Sequence, residues 1–224
     1  LDTSDVKWIV NPYDEYAIEQ AVQLKEAGKA EHLLLLCLSA TDVQKELRTA
    51  LARGADAARI LRVPADADNF AAAKALADDL KGQDFGLLFF GKEAIDDQQS
   101  AIGPMVATLL DLPCVTAIDQ FALEGDTATV RRGIEGGAET VKVTLPAVFT
   151  TDKGLNEPRF TNLKGIMAAK KKPLDEVATT PAANSVSATK FELPPPRKEG
   201  RIIGEGAAAV DELVKLLRDE AKVI

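Results

Sequence analysis

The feature that most constrains this chain is the exchange of two hydrophobic periods along its first half. Continuous apolar runs at 33–38 and 85–90 have the look of strands buried on both faces, and 59–63 is strand-like. Ahead of the first run, Ala17, Ile18, Ala21, Val22 and Leu24 recur at helical spacing up to Gly28. Asn11-Pro12 starts this helix, Asn as a cap and Pro in the first turn. Further helices are expected at 42–53, ending at Gly54, at the Ala-rich 69–81, and at 100–110, with a short strand at 114–117. This order predicts the α/β class, a mostly parallel sheet with helices on both faces and right-handed crossovers.

Beyond residue 117 the pattern changes. Segments 121–123 and 128–132 flank Gly125-Asp126 as a hairpin. Segments 140–145 and 147–150, the latter after Pro146, read as further antiparallel-type strands, so the sheet should be mixed. After residue 151 periodicity is lost. A stretch rich in Ala, Ser and Thr between the lysines of 170–172 and the prolines of 194–196 has too little apolar area to fold alone. It predicts an extended arm, followed by a helix at 207–217. The organisation expected is an α/β domain at 1–152, a recognition loop at 153–173 and an arm with its helix at 174–224. The opening LDTSD is polar and turn-like where such a domain ordinarily begins with a buried strand, so an N-terminal strand is expected beyond this sequence.

Charge and composition narrow the chemistry. Net charge is -8, which disfavours phosphate backbones and excludes nucleic acid as the expected partner. No apolar stretch nears the roughly 20 residues that span a bilayer, so no membrane insertion is expected. Cys37 and Cys114 sit in apolar runs without CxxC spacing and read as buried small hydrophobes. The single histidine, His32, cannot support a nucleophile triad, and no His/Cys cluster has metal spacing. GxGxxG and GxxxxGK[ST] motifs are missing.

Three stretches remain as candidate sites. Gly91, Lys92, Asp96, Asp97, Gln98, Gln99, Ser100, Ala101 and Ile102 follow a buried strand and lead into a helix, the edge at which open α/β sheets bind ligands. A glycine permits close backbone approach, and helix N–H groups suit a nucleotide phosphate; an ordinary acidic helix cap reads the same way. Asn11, Pro12, Tyr13 and Asp14 are either a capping turn or a polar edge beside an adenine or ribose. Segment 155–172 carries Leu163, Ile166 and Met167 among charges, as a hot spot with a polar rim would, or as a solvated basic loop would.

At this point the residues resemble a known family. NPYDEYAIEQAVQLKE (11–26), RTALARGAD (48–56), GKEAIDD (91–97), EGGAETVKVTLPAVFTTD (135–152) and LNEPRF…IMAAKKKP (155–173) resemble the beta subunit of electron-transfer flavoproteins in order and spacing. The resemblance implies a Rossmann-like, adenine-nucleotide hydrolase-like fold whose C-terminal arm wraps the alpha subunit. It also implies an electron carrier rather than an enzyme, in a heterodimer whose FAD lies mostly on the alpha subunit. The expected electron donors are flavoprotein dehydrogenases such as acyl-CoA dehydrogenases, and the acceptor is a membrane quinone oxidoreductase. The compartment would be a bacterial cytoplasm or a mitochondrial matrix.

Carried over, Asn11, Pro12, Tyr13 and Asp14 would line an AMP site with Leu38 near the adenine, and 91–102 would cradle the phosphate. Leu163 would anchor dehydrogenases, surrounded by Arg159, Phe160, Ile166 and Met167. Respiratory members usually read DDxxNQTG in the phosphate loop, whereas this chain reads Asp97-Gln98-Gln99-Ser100-Ala101-Ile102-Gly103, which predicts weakened AMP retention. Gly133 stands where respiratory members often carry a Glu that meets the alpha subunit. Two alternatives stay open: an electron-bifurcating member with a second FAD reduced by NADH, and a stand-alone adenine-nucleotide-binding regulator.

Overall fold

The computed structural model describes residues 5–180, 182–197 and 199–224, so Leu1–Ser4 of the polar opening lie outside the described residues. Two compact units are present, Leu1–Ser187 and Ala188–Ile224.

In the first unit, helix α1 (Pro12–Glu26) precedes the series β1 (Leu34–Ser39), α2 (Gln44–Leu51), β2 (Ala57–Arg62), α3 (Asn69–Leu80), β3 (Leu87–Gly91), α4 (Ile102–Leu109) and β4 (Cys114–Glu124). Strands β5 (Thr127–Ile134), β6 (Gly137–Thr144) and β7 (Ala147–Thr151), helix α5 (Leu163–Ala169) and strand β8 (Leu174–Ala178) complete it. The strands form a parallel three-stranded sheet, β1-β2-β8, and a mixed five-stranded sheet, β3-β7-β4-β5-β6. Helices cover both faces, as the alternation predicted: α1 and α2 pack on one side and α3 and α4 on the other.

Local chemistry explains the boundaries. Pro12 opens α1 as expected, but Asn11 makes no capping bond; its amide is used on a distant loop. Asp68 caps α3 by accepting the Ala71 N–H at 2.8 Å. Helix α2 is shorter than expected, because Asp42 turns back to accept the Gln44 N–H at 3.0 Å and the chain unwinds before Gly54. Helix α4 begins at Ile102 rather than residue 100, since Gln98 and Ser100 both take positive φ of 52°. The β4–β5 hairpin turns at Gly125-Asp126 as predicted, with Glu124 opposite Thr127 and Gly125 at φ 58°.

Three expectations are corrected. Residues 114–117 and 121–123 are one bent strand, β4, parallel to β7 at its start and antiparallel to β5 after a register shift. Strand β7 is not antiparallel: it runs parallel to both β3 and β4, and all five of its residues are buried. Its burial on two faces removes the alternation that an antiparallel reading needs. Finally, LDEVA at 174–178 is not loose chain but strand β8, which adds to β2. Its burial is slight, so the hydrophobic pattern carries little sign of it.

The core falls into three apolar clusters: one between β1, β2 and α2, one on the five-stranded sheet, and one beneath α3 and α4. Phe149 is fully buried and meets Phe121 edge-on, with ring centroids 5.3 Å apart, and Phe89 meets Phe121 at the same distance. Strands β1 and β3 differ from the doubly buried strands expected: Leu35 is the one buried residue of β1, and none of β3 is. Among the described residues each pairs on one side only, with β2 and β7 respectively. Cys37 of β1 is correspondingly half-buried, and Cys114, the first residue of β4, is half-buried too, so neither is the buried small hydrophobe expected.

The second unit contains a helical turn at 207–209, helix α6 (Val210–Leu216) and a wider turn at 217–221. The Arg201–Glu220 ion pair, at 2.5 Å, ties the stretch before these turns to the last of them. None of its described residues is buried; Leu193 is 94 % exposed and Ile202 90 %.

Candidate functional site

The carboxyl ends of the strands meet the amino end of α1, and the loop after β3 folds over this junction. A recess of about 150 Å³ opens there, lined by Asp14, Asn69, Phe90 and the loop 91–103. Gly91 is what lets the parts approach. A Cβ at that position would lie 2.7 Å from the Asp14 backbone nitrogen and 2.8 Å from the Tyr13 carbonyl carbon. The Gly91 N–H donates to the Asp14 carboxylate at 2.7 Å. Asn11 donates to the other Asp14 oxygen at 2.7 Å and to the Glu93 carbonyl at 2.8 Å, and accepts the Ile95 N–H at 3.3 Å. The first turn of α1 therefore fixes the course of the loop. Burial raises the Asp14 pKa, against the lowering effect of Asn11 and the Gly91 amide.

The recess is acidic. Lys92 extends over the Tyr13 ring, 4.8 Å from its centroid, and pairs with Asp152 at 3.1 Å. Burial lowers the Lys92 pKa, but the Asp152 hydrogen bond and charge raise it further, so it stays protonated and engaged. Ser100 donates to Glu93 at 2.9 Å, and Gln99 accepts from Asn69 at 2.6 Å. What remains for an anion is the start of α4, where Pro104 contributes no N–H.

Of the residues singled out in sequence, Asp14, Gly91, Lys92, Asp97, Gln99, Ser100, Ala101 and Ile102 come together on this recess. Asp96 and Gln98 lie in the same loop but do not line it, and Pro12 and Tyr13 stand behind it. Asn11 and Leu38 border a larger adjoining cavity, which also reaches Asp14 and Phe90.

The second candidate region lies along the same helix. Arg159 does not point to solvent beside Leu163. Its guanidinium meets Glu19 at 2.8 and 2.9 Å and Glu26 at 2.5 and 2.8 Å, while its N–H donates to Glu19 at 3.2 Å. Glu19 and Glu26 are seven residues apart and share one face of α1. Asn156 adds a bond to the Tyr16 carbonyl at 3.0 Å. Helix α5 is then held from its other side. Arg48 donates to the Ala169 carbonyl at 2.7 Å, and Lys172 donates to the Leu51 carbonyl at 3.0 Å, so that lysine is structural rather than part of a basic rim. At Gly165 a Cβ would come within 2.3 Å of the Ala52 carbonyl oxygen, so only glycine lets α5 pack this closely. With the backbone clamped, Phe160 is 96 % exposed, Leu163 77 %, Met167 56 % and Ile166 42 %.

Burial alone would raise the Glu19 pKa, but hydrogen bonds from Arg159 and Gln23 outweigh it and lower it. The Arg159 hydrogen bond lowers Glu26 in the same way. Both folded values lie below the ordinary 4.5. Carboxylates of this kind contribute stability that is complete above the ordinary value and lost as pH falls through the lowered one. The protection factor of the Arg159 amide is therefore expected to be constant from neutral pH to the ordinary value, then to fall in more acidic solution. Loss of protection near neutrality would contradict this assignment.

Sequence reasoning missed Glu19, Glu26, Asn156 and Arg48. Glu19 left a signal, an acid beside the apolar stripe of α1 at 17, 18, 21 and 22, but its partner lies 140 residues away. Among the described residues no acid, His or Cys cluster could hold a metal, and no helix is long and apolar enough to cross a membrane.

Open sheets of this kind present loops to ligands at their carboxyl edge, and the molecule falls in that Rossmann-like α/β class. The family model for the electron transfer flavoprotein domain matches residues 1–182. The beta subunit of the Bacillus subtilis electron transfer flavoprotein is 41 % identical over 235 aligned positions, which cover all of this chain and 91 % of that one. The mitochondrial beta subunit of Arabidopsis thaliana is 36 % identical over all of this chain and 90 % of its own length, and the mouse beta subunit 38 % over 99 % and 88 %. The chain belongs to the electron transfer flavoprotein beta-subunit family, and its role is that of an electron-transfer flavoprotein subunit.

Proposed function

We propose that this chain pairs with an alpha subunit to form an electron carrier that accepts electrons from flavoprotein dehydrogenases, acyl-CoA dehydrogenases among them, and delivers them to a membrane quinone oxidoreductase. The chain itself would be a carrier subunit, not a catalyst, acting in a bacterial cytoplasm or a mitochondrial matrix. FAD, held mostly by the alpha subunit, would supply the one- and two-electron chemistry. The observation that carries this reading is the apolar set Phe160, Leu163, Ile166 and Met167, exposed on a short helix clamped to α1 and α2. A few well-placed apolar side chains on a rigid mount suit a weak, fast complex, which serial transfer needs. The second unit, with exposed Phe191, Leu193 and Ile202, is suited to lie along the alpha subunit.

The docking role is tested with Leu163→Ala in the heterodimer. Affinity for an acyl-CoA dehydrogenase is expected to fall about tenfold or more, with FAD content unchanged. Parallel loss of FAD would mark Leu163 as structural instead.

The recess does not present what AMP asks for. Its lysine and its serine are engaged by Asp152 and Glu93, and three carboxylates, Asp14, Glu93 and Asp97, face the same space. The recess by itself, at about 150 Å³, is also small for a second FAD. The reading is therefore a carrier with one FAD and little retained AMP. Denaturing the purified heterodimer and counting released flavin and nucleotide is expected to give one FAD per dimer and AMP well below one. Two FAD would instead establish the bifurcating alternative, and stoichiometric AMP would overturn the reading of the loop.

A further inference from the structure

Between β8 and the second unit the chain is held by a joint of hydrogen bonds that no hydrophobic pattern foreshadows. Thr179 donates its hydroxyl to the Arg62 carbonyl at 2.6 Å, just past the end of the β2–β8 ladder. Further on, Asn184 reads the main chain of the turn before α3 on both sides of Ala67. Its amide donates to the Asp66 carbonyl at 2.7 Å, and its oxygen accepts the Asp68 N–H at 3.0 Å. An aspartate there would keep the acceptor and lose the donor. Asp68 returns the contact. One of its carboxylate oxygens caps α3 through the Ala71 N–H at 2.8 Å, and the other accepts the Ser185 N–H at 2.5 Å and the Val186 N–H at 2.9 Å. The Ala71 and Val186 amides hold the Asp68 carboxyl below its ordinary range, so it is ionised near neutrality. Asn184, Ser185 and Val186 are all exposed, so burial contributes little here, and each bond alone adds little in water. What the bonds share is position: they end at Val186, and the second unit begins at Ala188.

We infer that this clasp is the fixed mount of the arm, and that it strengthens the heterodimer by offering the exposed Leu193 and Ile202 to the alpha subunit on a short tether. The inference rests on the reading that the second unit lies along that subunit. From Val186 the tether to Leu193 is seven residues; without the clasp the last fixed point is Thr179, fourteen residues away. Effective concentration falls with about the 3/2 power of tether length, so doubling the tether weakens the arm's engagement about threefold. Residues 180–186 would then also have to be ordered on binding, which adds to the loss.

Two variants of the full chain open the clasp by different routes. Asn184→Ala removes both bonds of that side chain. Asp68→Ser keeps a hydroxyl cap for α3 and loses the oxygen that holds Ser185 and Val186. In hydrogen exchange on the free chain, the Ser185 and Val186 amides are expected to exchange at least threefold faster in both variants, with α3 protected as before. The dissociation constant of the heterodimer is expected to rise at least threefold in both. Leu193→Ser/Ile202→Ser disables the arm and should weaken the heterodimer by itself. Adding Asn184→Ala to that pair should then change nothing, because the clasp acts only through the arm. Unchanged exchange of the two amides, or faster exchange with unchanged affinity, overturns the proposal. An equal loss from Asn184→Ala in the arm-disabled chain overturns it too, since the clasp would then be a structural contact of the α/β domain. Tighter binding by the opened variants would make the clasp a latch that has to open first, and would also overturn it. If Leu193→Ser/Ile202→Ser leaves affinity unchanged, the reading of the second unit itself fails, and the clasp's role with it.

Discussion

Replacing Arg159 with alanine is expected to lower stability by about 2–3 kcal/mol, because it leaves a carboxylate buried without its cation. Glu19 is 3 % exposed and would keep only the Gln23 amide at 2.8 Å. The figure sits at the low end for broken buried pairs because Arg159 is itself one-third exposed and Glu26 more so, and water screens that part. Arg159→Lys should recover little, since one ammonium cannot meet two carboxylates in the forked geometry of a guanidinium. The double variant Arg159→Ala/Glu19→Gln removes the unpaired charge and is expected to restore about half the loss. Chemical denaturation of the three variants checks this; a loss below about 0.5 kcal/mol for Arg159→Ala, the range of ordinary surface changes, would refute it.

Gly91→Ala is expected to cost about 3 kcal/mol or more, for a different reason. The added methyl would meet the backbone of Tyr13 and Asp14 at 2.7 to 2.8 Å, and backbone has no rotamer by which to yield. The strain falls on the junction of β3 and α1, so the loop 91–103 should lose order together with global stability. Gly133→Ala is the control. Nothing lies within 4 Å of a Cβ there, and its φ is not in the left-handed region. Its effect should stay within about 0.5 kcal/mol. Denaturation midpoints that fail to separate the two variants would contradict the close approach at Gly91.

Both predictions rest on contacts of unequal visibility in the sequence. The strand after α3 and the glycine at its end were legible, because an apolar run followed by GKEAIDD has one natural place in an α/β fold. The turn at Gly125-Asp126 was legible for the same local reason. Strand β7 was misjudged because AVFTT after a proline does not reveal whether it is central or marginal; only pairing with β3 and β4 does. Strand β8 was missed because it is a polar edge whose stability comes from β2 rather than from its own composition. The exposed apolar residues around α5 were visible as a cluster, but their rigid mount was not. It comes from Glu19, Glu26, Arg48 and the small volume of Gly165, each of which looks ordinary alone.

Helix α1 touches both regions at once: Asn11 and Asp14 hold the loop over the recess, and Glu19 and Glu26 hold Arg159 in the segment before α5. The thirteen residues from Asp14 to Glu26 span about 18 Å of rigid helix. It therefore acts as a lever with a load at each end. A tilt of about 3° displaces the far end by about 1 Å at that length, the scale on which apolar anchors fit or miss. On the docking role proposed for the α5 segment, a shift of the loop that tilts α1 would change the free energy of partner binding, and by reciprocity the partner would change the loop's by the same amount.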